Sequence, residues 1–378
     1  MKTGISILLF VLGINCAFGQ IANIAEKFDL PVNLTESSGA IFFNDNLITH
    51  TDSGGENKLY ELDTISGLVT RAVSITNATN SDWEAITQDD TSIYIGDIGN
   101  NNGTRTDLKI YKISKSDYTS STGIMAETIA FNYSDQTDFT SNPNNTIWDA
   151  EALISFDDNN LILFTKNWVD GVTKGYVIPK TAGTYTVSPL SQTLESDGLT
   201  TGGTFNRLTG KLYLVGYSKL LLPFVWECSN FDANEVFSGT NIKTMLSSLG
   251  QEQIEAIAHV DANRYLITSE FFNKMVGGLT FTDTAKLMAF STSDVELSNP
   301  FFKDKHEVVL YPNPVSHILK VKSLEMVSIE LFDTKMTRLY AGNDTNTSLD
   351  MSSFSPGIYI VKIWLNSNRI IIKKIIKK

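Results

Sequence analysis

One short phrase recurs five times along the chain and limits its fold more than any other feature. The copies are Ser38-Gly39-Ala40-Ile41, Trp83-Glu84-Ala85-Ile86, Ala150-Glu151-Ala152-Leu153, Thr201-Gly202-Gly203-Thr204 and Ile254-Glu255-Ala256-Ile257. A polar turn follows each copy, and then a second apolar strand: Asn46 to Thr49, Ser92 to Ile95, Leu161 to Phe164, Leu212 to Val215 and Tyr265 to Thr268. A third strand comes next, at Lys58 to Glu61, Lys109 to Lys112, Gly175 to Ile178, Phe224 to Glu227 and Gly278 to Phe281. Weaker fourth strands are expected at Leu68 to Ile75 and Met125 to Tyr133. Short β-branched and aromatic runs broken by Asn, Asp, Gly and Ser, without a sustained 3.6-residue period, make this an all-β body.

Four antiparallel strands per unit, repeated every 45 to 67 residues, are the pattern of a β-propeller blade. A lone blade cannot bury both of its faces, so blades must stack around an axis. Five blades are legible. Asn132 to Ile147 is either an Asn-rich insertion or a degraded sixth unit, which leaves a six-bladed ring open, and a β-sandwich is the competing all-β arrangement.

The ends of the chain have a different character. Lys2, the apolar run Ile5 to Ile14 and the small residues Ala17 and Gly19 read as a signal peptide over residues 1–19, cleaved before Gln20. The run is too short to span a bilayer, which takes about 20 apolar residues, so the mature chain is expected to lack a transmembrane segment. Cys16 follows Gly-Ile-Asn rather than the small residues of a lipid-attachment site. Cleavage would leave Cys228 alone, and the exported protein would have no internal disulfide. From His306 onward there are 10 Lys/Arg against 6 Asp/Glu, whereas residues 20–305 carry 19 against 36. A body so acidic repels nucleic acid and anionic lipid and favours cations. The division into a body (20–303) and a tail (304–378) is placed in the stretch Asn299 to Lys305.

The tail holds its own run of short strands, as a small Ig-like β-sandwich would. Its phrases Tyr311-Pro312-Asn313-Pro314, Leu331-Phe332-Asp333, Leu349-Asp350-Met351-Ser352 and Ser355-Pro356-Gly357-Ile358-Tyr359, with a Lys-rich last strand, resemble the type A C-terminal sorting domain of type IX secretion substrates in Bacteroidetes. Met336 departs from that family, which usually has glycine there. The resemblance implies Sec export, engagement of the type IX secretion machinery, passage across the outer membrane, and removal of the tail with the body left at the cell surface.

In a propeller the innermost strands line the central channel and loops form its mouth. The polar member of the repeated phrase is Glu84, Glu151 or Glu255 in three copies and Gly39 or Gly202 in two; the ends of the second strands carry Asp52, Asp97, Lys166, Tyr217 and Glu270. Two polar rings are therefore expected around the axis. Crowded carboxylates there must hold a cation or share protons. The loops His50 to Asn57 and Gly96 to Arg105 combine oxygen ligands with glycine turns, which makes Asp52, Asp97 and Asn100 candidate Ca²⁺ ligands, although neither loop has EF-hand spacing and both residue sets also cap hairpins. Glu84, Glu151, Glu255, Lys166, Tyr217, Glu270 and Arg105 are the candidate ligand-binding residues.

The body also resembles a loosely defined group of bacterial secreted propellers, through Trp83 to Ile86, Gly96 to Asn101, Arg105, Ile110-Tyr111 and Asp149 to Leu153. It is more distantly similar to esterase-like phytases and lactonases, whose channels carry calcium and acidic residues. Only His50 and His259 lie in the body, with no Gly-x-Ser-x-Gly elbow, so no serine triad can be assembled. Lone Cys228 and unspaced histidines do not suit zinc, and no phosphate loop occurs. Trp168, Trp226 and Phe271-Phe272 are core residues or sugar-stacking platforms. The expectation is a surface propeller that binds a small molecule or polymer at an acidic, Ca²⁺-assisted mouth. A Ca²⁺-dependent phytase- or lactonase-like hydrolase and an adhesion or scaffold module that binds another protein are the alternatives.

Overall fold

The structure is a computed structural model that describes residues 21–276, 278–297, 309–322, 326–335, 337–342, 348–365 and 370–378. The expected signal peptide (1–19), Met336 and the expected Asn299 to Lys305 boundary lie outside the described residues. Two compact units divide between Leu297 and Ser298.

The first unit is a β-propeller of five blades. Their inner strands are Ser37–Phe43, Trp83–Gln88, Ala150–Ser155, Leu199–Asn206 and Ile254–His259, and each pairs antiparallel with the second strand of its own sheet. Each inner strand packs beside the next, and the fifth returns to the first, which closes the ring. The cores lie between blades: Ile41, Ile48, Trp83 and Ile95 fill one interface, and Tyr213, Val225, Ile257 and Tyr265 another. Alternate side chains of a strand face opposite sides of its sheet, so each blade feeds both neighbouring interfaces.

The segment Asn132 to Ile147 contains only the last two residues of strand Glu127–Tyr133 and a loop, and among the described residues the ring has no sixth blade. The fifth blade differs from expectation. Its third strand is Lys286–Ser291, while Leu279–Asp283 pairs with Phe272–Val276 in a hairpin inserted before it. The alternation at Gly278 to Phe281 was a genuine strand signal, but one spent within the hairpin. The outermost strand of the fifth blade is Ala22–Asp29, from the start of the body, paired antiparallel with Lys286–Ser291. Outer edges elsewhere are covered by strands from later in the chain: Gly123–Ile124 runs parallel to Val69–Ile75, and Gly183–Val187 runs parallel to Glu127–Tyr133. Covering these edges removes the unpaired backbone that would otherwise recruit another chain.

The second unit is a small β-sandwich with a three-stranded sheet (Val309–Tyr311, Ile318–Lys322, Ser348–Asp350) and a four-stranded sheet (Arg338–Gly342, Met326–Phe332, Gly357–Leu365, Ile370–Lys377). Leu319, Val321, Leu331, Met351, Val361 and Ile375 are among its buried core.

A candidate cation site at one axial mouth

All five inner strands run in the same direction around the axis, so their starts surround one mouth and their ends the other. Each has a register slip near its start, between Ser37 and Gly39, Trp83 and Ala85, Ala150 and Ala152, Thr200 and Gly202, and Ile254 and Ala256. A bulge re-aims the extra side chain. The extra residues are Ser38, Glu84, Glu151, Thr201 and Glu255, so Ser38 and Thr201 hold the register positions of the glutamates where Gly39 and Gly202 were expected. The phrase was aligned one residue out in those two blades because their glycines occupy the alanine position of the others. Ser38, Glu84, Glu151 and Glu255 line one axial void of about 10 Å³, roughly the space for a single water. The Thr201 hydroxyl instead donates to the Ile254 carbonyl of the next blade.

The same register places Asp52, Ile98, Lys166 and Glu270 just past the ends of the second strands and Tyr217 at the last residue of its own. Asp97 lies one residue earlier, opposite Trp83, and is fully buried. Its Oδ1 forms an ion pair with Arg105 Nη2 at 2.9 Å and accepts a hydrogen bond from the Asp82 amide at 3.1 Å. Arg105 is further tied to Asp107 and to the Gly99 carbonyl. The Asn100 side chain accepts from the Arg105 amide and donates to the Trp148 carbonyl. Asp97, Asn100 and Arg105 thus hold their own loop together and are not gathered with Asp52.

Asp82, which the repeat alone does not reveal, takes that place. One carboxylate oxygen from each of Asp52, Asp82 and Glu84 lies within 4.8 Å of the other two. Asp82 precedes the repeated phrase by one residue and would have been found only by extending the alignment backward. Glu84 Oε2 accepts from Ser38 Oγ at 2.6 Å, and Glu151 Oε1 from Lys166 Nζ at 2.5 Å. Gln253 Nε2 donates to Glu255 at 3.2 Å and to Glu270 at 3.0 Å. Buried Glu151 Oε2 has no partner among the described residues.

Burial raises these carboxyls, and their mutual repulsion adds to it. Glu84 lies well above the usual range through burial and then Glu151, Asp52 and Asp82; Asp82 is pushed up to about 7 by burial and then Asp52. Burial likewise raises Asp52, Glu151 and Glu270. Burial works against the Lys166 ammonium, but Glu151, Tyr217, Glu255 and Glu84 more than reverse this and hold it charged. Lys166 also stands 5.0 Å over Trp168 and 5.7 Å over Tyr217. One lysine does not neutralise so many acids.

The inserted hairpin leans over this mouth. Phe272 is buried with Leu199, Tyr217 and Leu221, with Trp168 and Phe281 packed against them. Lys274, on the same hairpin, is lowered by burial and held up most by Glu255. Trp226 packs in the core, Trp168 donates to Asp149 at 2.7 Å, and Phe271 is exposed. His50 is buried edge-on to Trp83 and pushed down to about 4 by burial, so it is a neutral core residue. Cys228 is buried and its thiol is pushed up by that burial, which makes it inert.

The tail decides the destination. Residues 309–378 match the secretion system C-terminal sorting domain family. The protein is therefore a type IX secretion substrate delivered to the cell surface, and its described residues contain no helix long and apolar enough to cross a membrane. No curated protein matches the chain. Among solved structures it is similar to the PQQ-bound aldose sugar dehydrogenase of Streptomyces coelicolor (10% identity, TM-score 0.40, 72% of this chain and 98% of that one). It is also similar to PorZ, an essential surface component of the type IX secretion system of Porphyromonas gingivalis (14%, 0.32, 90% and 51%). A third likeness is to the β-propeller domain of Cps50 (Swd1) from Myceliophteria thermophila (9%, 0.34, 89% and 96%). The five-sheet ring itself carries the propeller assignment.

Proposed function

We propose that this surface propeller binds a divalent cation of the calcium class at the mouth formed by Asp52, Asp82 and Glu84, and through it a polar ligand. The spacing of those three carboxylates carries the reading. Oxygens around one Ca²⁺ lie 2.3–2.6 Å from it, so any two are at most about 5 Å apart, and the 4.8 Å limit fits within that. The unpartnered Glu151 oxygen and the surplus of buried acid over Lys166 favour added positive charge. The cation would neutralise the ring and present open coordination positions to a ligand oxygen. The Phe272–Asp283 hairpin would border the ligand, with Lys274 as its cationic edge.

Calorimetric titration of the metal-stripped chain with Ca²⁺ tests this, with Asp82→Asn as the variant. Saturable binding that Asp82→Asn weakens about tenfold or more supports the site. Titration without heat, together with a melting curve unmoved by Ca²⁺, would remove it. The raised carboxyl of Asp82 favours a second reading, in which it serves as the general base of a Ca²⁺-dependent hydrolase. Turnover of phosphate esters or lactones that Asp82→Asn abolishes would select that reading.

A further inference from the structure

The opposite mouth, where the inner strands end, opens into a cavity of about 450 Å³ that is separate from the carboxylate site. That volume suits a small organic ligand. Its wall joins Phe42, Phe205 and Leu208 to charged groups of both signs, Lys115 and Arg207 beside Asp45, Asp89 and Asp90.

Two cations there are incompletely paired. The Lys115 ammonium forms no hydrogen bond or ion pair among the described residues and stands 4.5 Å over the Phe43 ring. Burial pushes it down to about 8, against the pull of Asp89 and Asp90. Among the described residues the Arg207 side chain reaches only Asp158, at 3.6 Å, and Ser155 Oγ, at 3.5 Å, and its Nε is buried without an acceptor. The half-buried acid of the lining is already engaged: Asp89 holds Lys180 at 2.9 Å and accepts from Tyr94 at 2.8 Å. Asp45 and Asp90 are exposed at the rim. Two neutral groups complete the lining. His259, lowered to about 4 by burial and then by Lys115, bonds Thr204 Oγ1 through Nδ1 at 2.8 Å. Gln88 donates to the Phe42 carbonyl at 2.7 Å, and its buried Oε1 is unpartnered.

We infer that this cavity is a second ligand site, one that takes an anionic sugar: a monosaccharide-sized ring bearing a carboxylate or phosphate. The anion sits between Lys115 and Arg207, where it supplies the missing acceptor to Arg207 Nε and a counter-charge to the half-buried ammonium. Gln88 Oε1 accepts from a ring hydroxyl, His259 offers its second ring nitrogen, and Phe42 and Leu208 cover the apolar side of the ring. Nothing in this arrangement draws on the carboxylates of the other mouth.

The test is calorimetric titration of the full mature chain with glucuronate, glucose 6-phosphate and, as the uncharged control, glucose. Either acid should bind at least about tenfold more tightly than glucose, and this comparison needs no variant. Lys115→Met and Arg207→Gln should each weaken the acid about tenfold or more, while Lys219→Gln, at an exposed lysine, should leave it unchanged. Preference for glucuronate over glucose 6-phosphate, or the reverse, identifies which anion the site favours. Failure of both acids to bind, equal binding of glucose, or affinity indifferent to both substitutions would overturn the inference. Chelation does not change the expected result, so this outcome is independent of the cation reading.

Discussion

Lys166 Nζ lies 2.5 Å from Glu151 Oε1, with both side chains almost wholly removed from water. This ion pair sits among Glu84, Glu255, Tyr217 and Glu270 and supplies their main buried positive charge. Removing only the cation leaves an uncompensated carboxylate in a confined space. Lys166→Met should therefore cost about 3–5 kcal/mol at neutral pH. Adding Glu151→Gln should recover much of that loss. Denaturant unfolding of the two single variants and the double variant measures the coupling, and additive losses would show that the pair is not a unit.

The raised carboxyls set a pH dependence with a definite sign. Asp82 has its folded value near 7 against an ordinary 3.8, so between about pH 4 and 7 the folded protein binds more protons than the unfolded chain and stability falls as pH rises. Glu84, Glu151 and Glu270 shift in the same direction. Metal-free protein should melt at a lower temperature at about pH 7.5 than at about pH 5. Saturating Ca²⁺ should shrink the difference by replacing protons with a cation. A melting temperature that rises across this interval without metal would contradict the assignment.

Close approach between blades fixes Gly202. A Cβ there would stand 2.7 Å from the Glu255 carbonyl oxygen and 3.0 Å from Ala256 Cα, both backbone atoms of the next inner strand. Gly202→Ala should destabilise by about 1–3 kcal/mol. Gly123→Ala is the control, since its nearest neighbour is a methyl carbon at 3.6 Å. Chemical denaturation of both variants makes the comparison; equal stabilities would mean that the strands can separate without cost.

The strands of the ring all lie between Ala22 and Ser291. A chain stopped at Leu297 should therefore fold and melt as the full protein does, within the propeller's own transition. Deleting residues 22–29 should instead expose the edge of Lys286–Ser291 and produce oligomers on size exclusion. A monodisperse, cooperative deletion variant would show that the closing strand is dispensable.

The strand runs of the propeller could be read in advance because an apolar alternation reports a buried face directly. The sandwich tail was readable for the same reason and because its turn phrases are distinctive. Register around the axis was harder. A bulge adds one residue without altering composition, so Gly39 and Gly202 were set in place of Ser38 and Thr201, and Asp97 in the position that Ile98 occupies. The hairpin at Phe272–Asp283 has ordinary strand composition, and nothing local distinguishes it from a blade strand. Asp82 joins Asp52 through the packing of the second blade on the first, a tertiary contact that no local pattern holds.

The partner of Ala22 in the last blade is Ser291. The first β-strand of the propeller must therefore wait, without its partner, until almost all of the remaining propeller has been made. An exported chain of this design latches late, and its transit is best served by factors that keep the early strand from finding another mate.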